Sequence, residues 1–174
     1  YKSMNGLFSL KKNNKLVSIF APVNGKVIPE TEIPDVAFSS GMIGEGLGII
    51  PDNGHFVSPV KGKVIDVTSS GHAISLKSAD GVELLLHIGI DTVTLKGEGF
   101  GVKVKNGDNV DIGTPLVDVD LNVIKRNNLS EICALIIINH DELSQITVFE
   151  GECKACESKI MSFVMQTGKT KIKQ

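Results

Sequence analysis

The chain lacks a surplus of basic charge. Eighteen lysines and arginines stand against 20 acids among 174 residues, leaving a net charge of −2 and a pI near 6.1. A broad nucleic-acid-binding face, which carries a basic excess, is thereby excluded. The one basic cluster, Lys169, Lys171 and Lys173, reads as part of a loose, solvated tail over 167–174. The chain also lacks any run approaching the roughly 20 apolar residues needed to cross a bilayer. Its longest aliphatic stretch near the end is Ala134–Ile138, so no direct membrane insertion is expected. Lys2, Lys11, Lys12 and Lys15 are not followed by an apolar signal segment, and residues 1–15 read as a flexible arm. Cysteine is scarce: three residues cannot all pair within the chain, which with no export signal points to the reducing cytoplasm. Cys153 and Cys156 form a lone CxxC with no second ligand pair nearby and no helix opening beside it, so neither a zinc site nor a redox motif is read there.

Long helical periodicity is missing too, and aromatics make up only 5% of the residues. What replaces them is glycine, 18 residues of it, set among short apolar runs from Leu16 onward. This pattern predicts an all-β fold of about ten short strands, with one short helix over 122–128. Two motifs recur. Pro22-Val23-Asn24-Gly25-Lys26-Val27 returns as Pro59-Val60-Lys61-Gly62-Lys63-Val64. The stretch 104–113 is echoed by 151–160. Proline-led turns running into glycine-started strands in two copies predict an antiparallel sandwich or barrel with internal pseudo-symmetry.

The chemistry centres on Gly81–Asp91, GVELLLHIGID. Strand alternation puts Val82, Leu84, Leu86, Ile88 and Ile90 on a core face. Glu83, Leu85, His87 and Gly89 then face the other way, with Gly89 leaving room for a ligand beside His87. An Asp80-Gly81 two-residue hairpin turn would set Ile74 opposite His87 and His72 opposite Gly89. The two histidines would then be diagonal neighbours on one face; a three-residue loop would put them on opposite faces. Imidazole is a nucleophile that titrates near neutral pH, so one ring can take a phosphoryl group while the other hydrogen-bonds its oxygens. Ser70 lies two residues before His72 and would orient that ring through its hydroxyl. The pair can also bind zinc, though two ligands are too few for a closed site. His55 and His140 lie in turn contexts and read as surface residues.

At these residues the chain resembles the glucose-specific enzyme IIA family of the bacterial phosphoenolpyruvate-dependent sugar phosphotransferase system. The resemblance runs from about Val17 to Met165 and gives the expected domain as 16–166. Its most specific piece is Leu84 to Val93 followed by Leu95 to Phe100. Supporting pieces are Ile33 to Ser39, Gly44 to Gly46, Ser70 to Ala73 and Val104 to Asp108. The resemblance implies an antiparallel β-sandwich described as a duplicated hybrid motif. It implies that His87 takes a phosphoryl group on Nε2 from the carrier HPr and passes it to a cysteine of an enzyme IIB domain, for sugar uptake. No cofactor is required. His72 steadies the phosphate, with Ser70, where threonine is usual, orienting it; Gly89 and Asp91 complete the site. The partner-docking positions are Asp35, Phe38, Ile43, Leu85 and Val93. Thr68 stands where some members carry phenylalanine. Cys153 and Cys156 stand where valine and glycine are usual, and read as small packing residues. Regulated transporters or kinases are further expected partners of the same face. A rival is a zinc metallopeptidase of similar architecture. It needs a third ligand from an H-x-H pair, where this chain has His87-Ile88-Gly89.

Overall fold

The computed structural model describes residues 13–167, which form fourteen strands and two short α-helices. The strands are β1 (Asn13–Phe20), β2 (Gly25–Pro29), β3 (Glu45–Pro51), β4 (His55–Val57), β5 (Gly62–Val67), β6 (Ala73–Ser78) and β7 (Glu83–His87). They continue as β8 (Phe100–Val102), β9 (Asn109–Val110), β10 (Pro115–Val119), β11 (Cys133–Ile137), β12 (Leu143–Val148), β13 (Gly151–Cys153) and β14 (Lys159–Thr167). Sequence pattern gave about ten because β4, β8, β9 and β13 have three residues or fewer, too short for alternation to show. Residues 1–12 and 168–174 lie outside the described part. The last residues of the expected arm belong to β1, which pairs along its whole length with β14.

The sheets are antiparallel throughout and their order shows the duplication. The large sheet runs β13-β2-β3-β11-β7-β6-β5-β9, and two three-stranded sheets run β1-β14-β12 and β4-β10-β8. The two halves of the large sheet match outward from its centre: β11 with β7, β3 with β6, β2 with β5, β13 with β9. Gly25 and Gly62 have the same job in the two copies. A Cβ on Gly25 would lie 2.2 Å from the Ile50 carbonyl oxygen, and one on Gly62 would lie 2.0 Å from that of Lys77. Only glycine lets these strands approach so closely. Gly25 pairs with Cys153 and Gly62 with Val110, so Cys153 takes the place of Val110 in the second copy.

The same correspondence, four residues out of step with the 104–113/151–160 echo in the sequence, sets Cys156 against Gly113, and both are left-handed, with φ of 67° and 90°. Cys153 is indeed a buried packing residue, its thiol donating to the Val23 carbonyl at 3.6 Å. Cys156 is exposed, against the expectation of a packing role, and carries a Cβ where the backbone favours none. Relieving that strain exceeds the added chain entropy of glycine, so Cys156→Gly is expected to raise stability by about 1 kcal/mol. Urea unfolding checks this, and a loss of stability would refute it.

The main core lies between the large sheet and the two small ones, with Phe56, Phe163, Leu47, Ile49, Leu84, Leu86 and Leu116 fully buried. A second, smaller cluster sits on the outer face of the large sheet. It joins Ile33, Phe38, Ile90, Ala134 and Ile136, with Ile43, Leu85 and Ile132 packed against it. β11 is therefore buried on both faces, which is why Ala134–Ile138 reads as an unbroken apolar run. Cys133, Leu135 and Ile137 enter the main core and Ala134 and Ile136 the outer cluster. The outer cluster is covered by α1 (Val36–Ser39), a single turn that helical periodicity cannot reveal. Its signal was the cap: Asp35 accepts from the Ala37 amide at 2.9 Å. The other helix, α2 (Leu121–Arg126), falls close to the expected position and is capped by Asp120.

Candidate active site at the histidine pair

His87 closes β7, at the centre of the large sheet and on its outer face. Its alternation is as expected. Val82, Leu84, Leu86 and Ile88 belong to the main core, and Leu85 to the outer cluster. The expected parity fails at Ile90, which joins the outer cluster, because Gly89 (φ 70°) turns the chain between them.

The hairpin register differs from the expectation. Ala73 pairs with His87 and Ile74 with Leu86, so the β6–β7 loop is the three residues Ala79 to Gly81. Ser78 donates its amide to Val82 (2.8 Å), and Gly81 supplies the left-handed closing position with φ of 90°. Strand geometry alone would then place His72 and His87 on opposite faces. Yet the rings meet, with centroids 5.1 Å apart in an edge-to-face arrangement. The reason is that His72 lies outside β6. Gly71 (φ 73°) bends the chain just before it, and only the His72 carbonyl stays in register, accepting from the Ile88 amide at 2.8 Å. The small side chain of Ala73, directly opposite His87, leaves space for the ring to lean across.

Each ring is held by one nitrogen. His87 Nδ1 lies 2.8 Å from the Gly89 carbonyl oxygen, which only accepts, so Nδ1 carries the proton and Nε2 of the neutral ring has a free lone pair. Gly89 thus acts through its turn. It leaves no room for a ligand: a Cβ there would sit 2.5 Å from Thr92 Cγ2 and 3.0 Å from the Ser130 carbonyl. The Thr92 hydroxyl, fully buried, donates to Ile88 at 2.6 Å and fixes the far side of the turn.

His72 Nδ1 faces two hydroxyls, Ser70 Oγ at 2.5 Å and Thr68 Oγ1 at 3.2 Å. Thr68 also lies within reach of the Ala73 carbonyl, to which it donates. Ser70 is then free to donate to Nδ1, an arrangement that allows the His72 proton on Nε2. At Thr68, where the resemblance puts phenylalanine in some members, the hydroxyl turns toward a histidine four residues on, a role the resemblance did not indicate.

Phe38 is buried with its ring 5.0 Å from that of His87. Ile43 and Leu85 are half-buried in the outer cluster, and Val93 is 54% exposed. Two exposed apolar residues in the covering segment escaped the sequence reading, Val36 at 75% and Met42 at 81%. Asp35 and Asp91 both lie near enough to favour a charged His87 ring. Asp91 is left-handed (φ 58°), and its carbonyl accepts from Thr94. The other two histidines lie apart from this pair: His55 is exposed and paired with Asp118, while His140 is half-buried, against the expectation of a surface residue. Among the described residues no three His, Cys, Asp or Glu side chains gather to hold a metal, and the pair lacks the third ligand a metallopeptidase needs.

Burial lowers the affinity of both rings for a proton. For His87 the Gly89 carbonyl, Asp35 and Asp91 offset this in part; for His72 the neighbouring His87 adds to it. The unfolded chain therefore binds more protons than the folded one as pH falls through the usual imidazole value of 6.5. The rings' contribution to stability is intact above about 6.5 and is lost as pH falls toward the lowered folded-state values. Urea midpoints are expected to drop between pH 7 and 5.5, and a His72→Gln/His87→Gln protein to drop less. An unchanged slope in that protein would show the effect to lie elsewhere.

Known proteins resemble this chain over most of its length. Residues 17–143 match the family model described as phosphoenolpyruvate-dependent sugar phosphotransferase system, EIIA 1. The chain is 43% identical over 156 residues to a PTS system glucose-specific EIIA component of Staphylococcus aureus, covering 89% of this chain and 94% of that one. It is 38% identical to the protein of the same name from Halalkalibacterium halodurans, covering 95% and 99%. A solved structure, glucose permease IIA from Mycoplasma capricolum, superposes with a TM-score of 0.80 at 34% identity, covering 85% of this chain and 96% of the other. No helix among the described residues is long and apolar enough to cross a membrane. The chain belongs to the EIIA 1 family of the phosphoenolpyruvate-dependent sugar phosphotransferase system.

Proposed function

We propose that this chain is a phosphoryl carrier in which His87 accepts the phosphoryl group of phosphohistidine on HPr and passes it to a cysteine of an enzyme IIB domain. The observation that carries this reading is the bond from His87 Nδ1 to the Gly89 carbonyl, which leaves Nε2 as the nucleophile. In the first step the Nε2 lone pair attacks phosphorus, a P–N bond forms, and the P–N bond of the donor breaks. In the second, a thiolate attacks the same phosphorus and the His87 bond breaks, returning its electron pair to Nε2. His72, with its proton on Nε2, donates to a phosphoryl oxygen in both steps. Ser70 holds that tautomer by donating to Nδ1, and Thr68 packs its hydroxyl beside the same nitrogen; both are positioning residues. The first step needs a neutral His87, and burial favours that form; in the second, the Nδ1 proton held by the Gly89 carbonyl helps the ring nitrogen leave. The exposed apolar residues Val36, Met42 and Val93 around the pair suit a partner that binds briefly and leaves. Asp35 and Asp91 favour a basic partner surface there. The named relatives make glucose the first sugar to test.

The test supplies phosphoenolpyruvate, enzyme I and HPr. One phosphate per chain is expected, stable to base and labile to acid, and its loss to a IIB domain is expected on mixing. A chain that takes up no phosphate from phospho-HPr would overturn the proposal.

A further inference from the structure

A groove of about 660 Å³ runs along the β5–β6 end of the large sheet, away from the histidines. Three exposed lysines line it: Lys61, Lys63 and Lys77. Lys63 and Lys77 stand directly opposite each other in the β5–β6 register. Like charges in that position repel. None of the three makes an ion pair among the described residues. The nearby carboxylates are engaged elsewhere. Asp80 pairs with Lys15, Asp108 accepts from the Lys105 amide at 3.0 Å, and Asp66 accepts from Asn106 at 3.3 Å. Glu83 lies across from Lys77 without pairing to it, so the groove keeps a net positive charge on an acidic protein. Ile65, 45% exposed, adds an apolar contact within it.

Two of its lysines, Lys63 and Lys77, stand on the histidine face of the sheet. Along β6, Ala73, Ser75 and Lys77 point to one side; Ala73 is opposite His87 and Ser75 opposite Leu85. Lys77 is thus on the His87 face, roughly 13 Å along the strand at a rise of about 3.3 Å per residue. A transient partner centred on His87 and covering about 800 Å² would reach roughly 16 Å in each direction. The face is acidic at His87, where Asp35 and Asp91 stand, and basic at its β5–β6 end.

We propose that Lys61, Lys63 and Lys77 dock an acidic segment of a phosphoryl-exchanging partner protein, one that is basic at its reacting residue and carries carboxylates about 13 Å away. This rests on the phosphoryl-carrier reading. All partners must reach the same Nε2, so they can be told apart only at the periphery of the face, where these lysines lie.

The test uses the whole chain with HPr and with a IIB domain, and measures second-order rate constants of phosphoryl exchange against salt. Lys63→Glu/Lys77→Glu is expected to slow exchange with one of them at least tenfold at low salt. The deficit should shrink at 0.5 M salt, and the rate at saturating partner should be unchanged. Lys63→Gln/Lys77→Gln should lie between that protein and the parent. Lys154→Glu/Lys159→Glu, with the same change in net charge on the turn after β13 and on β14 of a small sheet, should leave exchange unaltered. Rates within twofold of the parent for both partners, or an equal deficit in the control pair, would overturn the docking proposal while leaving the carrier reading intact. Failure of the parent chain to take phosphate at all would instead remove the carrier reading, and this proposal with it.

Discussion

His87→Gln is expected to abolish phosphoryl acceptance from phospho-HPr, whereas His72→Gln is expected to slow it by a factor of about 10²–10³, as loss of one well-placed hydrogen-bond donor does. The asymmetry follows from the two Nδ1 environments. The Gly89 carbonyl forces the His87 proton onto Nδ1 and bares Nε2, while the Ser70 hydroxyl allows the opposite tautomer at His72. Glutamine keeps a hydrogen-bonding amide of similar reach but is no nucleophile. At position 72 it retains part of the donor function; at 87 it retains none of the chemistry. Radiolabelled phosphate incorporation measures both. A His87→Gln chain that still accepted phosphate would remove His87 as the acceptor. Equal losses in the two variants would remove the division of roles. Each ring is buried or half-buried, so circular dichroism must show both variants folded before rates are compared.

Gly89→Ala is expected to be the most damaging single-methyl change at the site. The residue has φ of 70°, where a side chain costs about 1–2 kcal/mol. Its Cβ would also meet Thr92 Cγ2 at 2.5 Å and the Ser130 oxygen at 3.0 Å, an overpacking worth about 1–3 kcal/mol. Neither neighbour yields readily. Thr92 is fully buried with its hydroxyl bonded to Ile88, and Ser130 accepts from the Ile90 amide at 2.9 Å. Together these predict a loss of about 3 kcal/mol in urea unfolding. Relief by moving the turn would carry the Gly89 carbonyl away from His87 Nδ1, so nitrogen shifts of His87 should show a mixture of tautomers and exchange should slow beyond the folded fraction lost. A stability change under about 1 kcal/mol with one tautomer retained would refute the role given to this glycine.

The pseudo-symmetry sharpens the origin of the site. The central pair Leu86–Leu135 lies where the two halves meet, with Leu85 opposite Ile136 on one side and His87 opposite Ala134 on the other. Exchanging the halves carries His87 onto Ile136 and Ala73 onto Gly46. One copy of the motif thus supplies histidine chemistry. The other supplies the apolar cluster of Ala134 and Ile136 that buries one side of the His87 neighbourhood.

Sequence by itself determined several things about this protein. The duplicated turn-and-strand motif fixed an all-β fold with internal symmetry, because glycines such as Gly25 and Gly62 are required wherever two backbones nearly touch. Alternation through Val82–Ile88 fixed which way His87 points, since a strand has only two faces. The long specific match around Leu84–Val93 fixed the family. The meeting of the two histidines was decided only in three dimensions. The hairpin loop has three residues, the odd length that strand parity forbids for two histidines on one face. They meet because His72 has left the strand at Gly71, where alternation no longer applies, and because Ala73 leaves the space. The hydroxyl pair on His72, the one-turn helix carrying Phe38, and the exposed Val36 and Met42 were likewise settled by tertiary packing. Local pattern reports a residue's own backbone. It is silent about which side chains a bend, a loop closure or a symmetry-related strand will bring to the same point.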